Sequence, residues 1–257
     1  MFLRYCFSRS LMPKSDAGAA VPSAWYARRM LAAKAANSSG LSADSWSSSL
    51  ATLEIVLGIS EGTPNLTFID YARERGLRHI VGDAKDVLSR LVACGRLGEA
   101  TDVFRVTTEC PFFDYGSLPG AWRSHLEGNY DITVLDHVPE GAGFEIYQLA
   151  ALERSHREGR DSDRSEFCSN FARFNQRLFK VQILKPEQTY RRLDLRLTVD
   201  YPEDLIVCRA AYQAFHQRAP LIPLGDIIAF LDTRPELKTL VQPYVDPRPV
   251  WDGQPQR

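Results

Sequence analysis

Two acidic residues stand directly after apolar segments of this sequence. Glu109 follows VFRVTT and is itself followed by Cys-Pro, and Asp200 follows LRLTV. A carboxylate at the end of a buried strand costs free energy unless a positive group meets it. Each acid is therefore either a solvated turn residue or a ligand for a cation.

Apolar segments of strand length alternate with helical segments in the first half of the chain. This alternation indicates βαβ units in a mainly parallel sheet with helices on both faces. Ligands of such sheets bind beyond the carboxyl ends of the strands, where Glu109 and Asp200 could converge. The strands are predicted at 1–7, 53–59, 78–81 and 101–106, and the helices at 23–37, 64–77 and 85–98.

The second half of the chain is less regular. We expect a single domain over residues 1–245, with a serine-rich loop at 38–50 and a flexible tail at 246–257. The strands are predicted at 130–135, 144–149, 178–184 and 195–199, and the helices at 166–175, 203–217 and 224–232.

Two strand-end carboxylates are typical of a magnesium site. Magnesium takes few protein ligands and completes its octahedron with substrate phosphates and water. Glu109 and Asp200 together with a bound triphosphate would match the arrangement expected of a nucleotidyltransferase. From spacing alone, the alternative that both acids are ordinary turn residues stays open.

Composition narrows the choice of partners. The chain has 257 residues, of which 44% are hydrophobic and 25% charged, and a formal net charge of -1. These values are typical of a soluble globular protein and give no reason to expect nucleic acid or a membrane as the main partner.

The five cysteines show no Cys-x-x-Cys spacing, which favours reduced thiols and a cytoplasmic protein. The basic first 40 residues also have the composition of an organelle transit peptide, an interpretation that we favour less.

Three segments, in this order, resemble motifs of the cytidylyltransferases of the spore-coat polysaccharide and CMP-KDO synthetase-like group. They are RHIVGDAKDVLSRL (78–91), VFRVTTECPFFD (103–114) and LRLTVDYPEDL (195–205). The resemblance implies an α/β, nucleotide-diphospho-sugar transferase-like (Rossmann-like) three-layer sandwich with a mainly parallel central sheet. It also implies transfer of CMP from CTP to a sugar acid or a related acidic or phosphorylated acceptor, with release of pyrophosphate. A homodimer is expected by analogy alone.

The same resemblance implies roles for individual residues. Glu109 and Asp200 fall on the family's magnesium positions. Lys14, Arg4 and Arg90 are the predicted catalytic residues, and Arg4, Ser8, Arg9, Lys14 and Arg105 are the predicted nucleotide-binding residues. The predicted acceptor-binding residues are Gly141, Gly143, Glu145 and Glu166.

The sequence departs from the family pattern at several of these positions. Thr108-Glu109 replaces Gly-Asp, and a carboxylate displaced by about 1 Å can cost on the order of 10²-fold in rate. The resemblance places a phosphate-binding loop at residues 4–14, and only three residues precede it, so the strand before the loop is short. Either the true start lies upstream or the domain binds nucleotide poorly. The acid expected at 143 is a glycine, which indicates a rebuilt acceptor pocket.

These departures keep two alternatives open. The chain could be a catalytically weakened relative that serves as a binding or assembly subunit. A glycosyltransferase on the same kind of fold is the other alternative, and the lack of a strand ending in Asp-x-Asp disfavours it.

Overall fold

A computed structural model describes residues 2–6 and 52–255 of the chain. Over these residues, seven strands form one sheet. The strands are β1 (Phe2–Cys6), β2 (Thr52–Ser60), β3 (Arg78–Gly82), β4 (Asp102–Arg105), β5 (Ile132–Leu135), β6 (Phe144–Gln148) and β7 (Val181–Leu184). Their order is β3-β2-β1-β4-β6-β5-β7, in which only β6 runs antiparallel to its neighbours.

Helices connect most of the strands, and three further α-helices follow the last strand of the described chain. They are α1 (Leu66–Glu74), α2 (Val87–Leu97), α3 (Leu118–Glu127), α4 (Leu149–Glu158), α5 (Asp161–Arg164), α6 (Asn170–Phe174), α7 (Pro202–Phe215), α8 (Leu224–Asp232) and α9 (Pro235–Val241). Local sequence explains several of their ends. Asp86 caps α2 by accepting the N–H of Ser89 at 2.7 Å, and Gly76 turns the chain after α1 with a φ of 59°.

The alternation of side chains along the strands produces two cores. Val103 of β4 packs with Leu88 of α2 and Leu152 of α4 on one face of the sheet. Phe104 packs on the opposite face with Val207 of α7 and Ile227 of α8. Helices therefore cover both faces, which confirms the three-layer α/β prediction.

Segment 195–199 does not form the strand that the sequence predicts. Its backbone makes one isolated bridge, in which the N–H of Glu140 donates to the carbonyl of Leu195 at 3.1 Å and the N–H of Leu197 donates to the carbonyl of Glu140 at 2.7 Å. Leu195 and Leu197 are nevertheless buried. The apolar alternation reflects packing against loops at the end of the sheet, so the prediction of a strand was wrong.

Part of the C-terminal tail packs against the sheet. Trp251 is only 2% exposed and packs against Tyr147 of β6. A buried indole and several backbone hydrogen bonds attach residues 249–252 to the sheet, while the flexibility of the tail stays a prediction. The predicted helix at 23–37 and the serine-rich loop at 38–50 lie outside the described residues.

In the described part of the chain, none of the helices combines the length and apolar character needed to span a membrane.

Candidate active site

Three loops meet beyond the carboxyl ends of the strands. They are the loop after β4, the loop between β5 and β6, and segment 195–200. The N–H of Val199 donates to the carbonyl of Glu109 at 2.9 Å, and the N–H of Asp114 donates to the carbonyl of Ala142 at 2.8 Å. These bonds place Asp200 one residue away from the backbone contact of Glu109.

Gly141 and Gly143 permit the close approach of these loops. A Cβ on Gly141 would lie 2.6 Å from the backbone nitrogen of Thr198, and its φ of 85° lies in the left-handed region. A Cβ on Gly143 would lie 2.7 Å from the carbonyl oxygen of Leu135. Each predicted acceptor-side glycine thus has a packing requirement of its own, while its contact with an acceptor stays a prediction.

Replacing Gly141 with alanine is expected to lower the free energy of unfolding by about 2–3 kcal/mol, because both the left-handed backbone and the clash oppose a side chain. Gly76→Ala is the matched control. Gly76 also has a positive φ, but a Cβ there meets nothing within 4 Å, so a loss of only about 1 kcal/mol is expected. Urea denaturation of both variants checks this, and equal losses would contradict the close approach at Gly141.

Arg196 links the acidic residues of this region. Its side chain is 5% exposed and pairs with Glu140, Asp200 and Asp204. Asp204 is fully buried, accepts the Arg196 Nε–H at 2.9 Å, and also accepts the N–H groups of Asp200 and Tyr201 at 3.0 Å each. Burial acts against the charge of Arg196, yet the surrounding acids raise its pKa above the usual value. This network fixes where Asp200 stands.

Sequence reasoning missed Arg196, Asp204 and Glu140. Two signals could have found the first two. A charge between buried leucines requires a counter-charge, and Arg196 lies between Leu195 and Leu197. Asp204 occupies the third position of a helix that starts with a proline, where an acid can cap the helix N-terminus.

Glu109 is partly buried beside Asp200. Burial raises the pKa of the Glu109 carboxyl above its usual value, and repulsion from Asp200 adds to the rise, whereas Arg105 acts against it. The Thr108 hydroxyl contacts Oε2 of Glu109 at 3.3 Å. Two neighbouring carboxylates of this kind have the oxygen donors that a hard dication prefers.

The donor set fits magnesium only together with substrate oxygens. Among the described residues, no group of three or more His, Cys, Asp or Glu side chains is arranged to hold a metal ion. Glu109 and Asp200 would therefore supply two ligands, and phosphate and water the others.

The nucleotide-side residues are only partly described. Arg4 lies in β1, opposite Glu54 of β2. Cys6 pairs with Arg105, so the chain that leads to the predicted phosphate loop leaves the sheet beside β4. Ser8, Arg9 and Lys14 lie outside the described residues.

The remaining predicted residues fall in three places. Arg90 is buried in α2, packs on Gly82 at the end of β3, and donates to the carbonyl of Asp83. Since β3 lies three strands from β4, the structure does not bring Arg90 beside Glu109. Glu166 is exposed in the turn before α6.

Arg105 and Glu145 form an ion pair at 2.8 Å between β4 and β6. Glu145 also accepts the indole N–H of Trp251 at 3.0 Å. The predicted nucleotide-binding arginine and the predicted acceptor-binding acid are therefore partners of each other, on the face of the sheet that carries the α2–α4 core.

The strand order, the antiparallel β6 and the loops at the carboxyl edge define a nucleotide-diphospho-sugar transferase-like fold, as the sequence predicts. No family model matches the chain. The spore coat polysaccharide biosynthesis protein SpsF of Bacillus subtilis is 26% identical over 167 residues, which cover 65% of this chain and 69% of that protein.

Two solved structures share the fold. A cytidylyltransferase from Leptospira borgpetersenii superposes with a TM-score of 0.62 at 20% identity, over 72% of this chain and 77% of that one. The CMP:2-keto-3-deoxy-manno-octonic acid synthetase complexed with CTP superposes with a TM-score of 0.52 at 11% identity, over 83% and 98% of the two chains. The chain is thus a divergent relative of SpsF with the fold of these cytidylyltransferases, which confirms the resemblance seen in the three motifs.

Proposed function

We propose that this protein is a magnesium-dependent nucleotidyltransferase that transfers CMP from CTP to a sugar acid or a related acidic or phosphorylated acceptor, releasing pyrophosphate. The observation that supports this most strongly is the backbone hydrogen bond from Val199 to Glu109, which brings Glu109 and Asp200 into one region beyond the adjacent carboxyl ends of β1 and β4. The similar proteins include a cytidylyltransferase and a synthetase in complex with CTP, which supports the same class.

The reaction is an attack by an acceptor oxygen on the α-phosphorus of CTP, with pyrophosphate as the leaving group. It requires in-line positioning and charge neutralisation more than covalent help from the protein. Magnesium held by Glu109 and Asp200 would supply part of that neutralisation. Arg4, Ser8, Arg9 and Lys14 would bind the phosphates.

Arg196 contributes by positioning. It holds one carboxylate oxygen of Asp200, while Asp204 holds the backbone N–H of the same residue at 3.0 Å. Asp200 therefore needs little rearrangement when a nucleotide arrives, and such pre-organisation favours the transition state. The acceptor would bind on the side of Gly141, Gly143 and Glu145.

Pyrophosphate release tests the proposal. CTP should support release with magnesium and one acidic acceptor, whereas UTP, ATP and GTP should support much less. Lys14→Ala should abolish release and weaken CTP binding measured by calorimetry, because a phosphate contact is lost, and Lys238→Ala is the control because Lys238 pairs with Asp232 at the surface. If the folded chain neither binds CTP nor releases pyrophosphate with any acceptor, the transferase proposal fails and the binding-subunit alternative stands.

A further inference from the structure

The C-terminal segment 249–252 lies against the carboxyl end of β5 and the amino end of the antiparallel strand β6. Asp136, the buried residue directly after β5, accepts the N–H groups of Val250, Trp251 and Asp252 at 3.0, 2.8 and 2.9 Å. The indole N–H of Trp251 reaches Glu145. One carboxylate thus fixes three successive residues of the tail beside the predicted acceptor side.

This attachment presents the side chain of Asp252 to two basic residues. Its Oδ2 receives the Lys185 ammonium at 2.6 Å and the His137 Nε2 at 2.9 Å. Lys185 follows β7 and His137 follows Asp136, and the N–H of Asp136 donates to the carbonyl of Leu184 at 3.0 Å. The ends of β5 and β7 therefore place the two basic side chains next to each other.

The backbone conformation of His137 is also consistent with a ligand-binding site. Its φ is 63°, in the left-handed region, where a residue other than glycine stands at a free-energy cost. The N–H of His137 donates to Oδ1 of Asp136 at 2.8 Å, which holds this conformation. Such costs are concentrated at sites that bind ligands. The hydrogen bonds from Lys185 and then His137 also lower the pKa of Asp252 below its usual value.

The ion pair between Lys185 and Asp252 is accessible to dissolved anions. The side chains of Lys185 and Asp252 are 43% and 38% exposed. Ion pairs at that exposure are weak, so a competing anion can replace the internal carboxylate. An ammonium and an imidazole N–H that converge on one oxygen are donors suited to a carboxylate or a phosphate.

We propose that Lys185 and His137 form a subsite for the carboxylate or phosphate of an acidic ligand, and that Asp252 occupies this subsite as an internal competitor. The ligand class rests on the proposed function, because an acidic acceptor is the anion that this side of the molecule would receive. Displacement of Asp252 would loosen the tail and with it the contact between Trp251 and Glu145.

The test is a titration without CTP, followed by the indole N–H signal of Trp251 in nitrogen-15 NMR spectra. The loss of one signal in Trp251→Phe identifies that signal. Glucuronate provides the carboxylate, glucose 1-phosphate provides the phosphate, and glucose is the neutral control. We expect at least one of the two anions to shift the signal, and the anion that does so identifies the group that binds.

Two variants decide whether Asp252 competes and whether Lys185 binds. Asp252→Asn should lower the half-saturating anion concentration about fivefold, the scale of a weak, partly exposed ion pair. Lys185→Ala should raise it about tenfold or abolish the shift. Asp246→Asn is the matched control, because Asp246 lies in the same tail and pairs only with the exposed Arg248 in the described contacts. If Asp252→Asn titrates like Asp246→Asn, if Lys185→Ala titrates like the wild type, or if no anion shifts the signal, the proposal is overturned.

The outcome of this titration can be distinguished from the outcome of the pyrophosphate-release test. If the variants behave as expected while CTP is not turned over, the anion subsite stands and the transferase proposal fails. If CTP is turned over while the indole signal ignores both anions, the transferase proposal stands and the subsite fails.

Discussion

Replacing Asp200 with asparagine is expected to lower the rate of pyrophosphate release by on the order of 10²–10³-fold, the cost of removing one group that stabilises transition-state charge. The amide keeps the shape of the side chain and can still accept from Arg196, so the fold should persist. It loses the negative charge that would hold magnesium. We expect the magnesium concentration for half-maximal rate to rise as kcat falls, and a magnesium titration at saturating CTP measures both.

Glu109→Gln, combined with Asp200→Asn, tests whether the two acids bind one magnesium ion together. If Glu109 and Asp200 hold one ion, the double variant should lose little more activity than either single variant, because groups that act as a unit are not additive. Asp70→Asn is the control, since Asp70 is an exposed partner of Arg73 in α1. Full additivity of the two losses, or an Asp200→Asn enzyme with wild-type magnesium dependence, would show that the two acids do not share a cation.

Replacing Asp204 with alanine is expected to lower the free energy of unfolding by about 3–5 kcal/mol, the cost of removing one partner from a buried ion pair. Asp204 is fully buried, binds Arg196 at 2.9 Å, and accepts the N–H groups of Asp200 and Tyr201 before α7. Its removal leaves the buried guanidinium with two partly exposed acids and leaves two backbone N–H groups without their acceptor.

Urea denaturation measures this loss, with Asp70→Ala as a control whose expected change is within about 0.5 kcal/mol. A loss below about 1 kcal/mol for Asp204→Ala would show that water replaces its hydrogen bonds at little cost. The Arg196 network would then not be what fixes the loop of Asp200.

Local patterning was sufficient for most of the elements. The predicted helix at 224–232 has the same bounds as α8, and the predicted strand at 53–59 lies within β2. In these segments, hydrophobic periodicity and neighbouring turn residues favour one conformation whatever the rest of the chain does. The nucleotide-diphospho-sugar transferase-like fold was implied by the resemblance of three short motifs to a known family.

At residues 195–199, local patterning was not sufficient to predict the secondary structure. Alternating leucines fit a sheet and fit a segment packed on loops equally well, because both bury every second side chain. The choice depends on Glu140, which lies 55 positions before Leu195 and whose backbone bonds with Leu195 and Leu197. The packing of the tail depends on distant partners in the same way, because Trp251 contacts Tyr147, Asp136 and Glu145.

The sequence by itself determined the α/β architecture and the candidate acids Glu109 and Asp200, since both follow from residues that are neighbours along the chain. The tertiary structure alone decided that Arg196 and Asp204 hold Asp200, that Arg105 pairs with Glu145, and that Asp252 reaches Lys185 and His137. The contacts of Arg105 and Asp252 join residues that are far apart in the sequence, so short-range patterns cannot relate them. Arg196, Asp200 and Asp204 are close in the sequence, but the free energy of their contacts depends on burial that only the folded chain supplies.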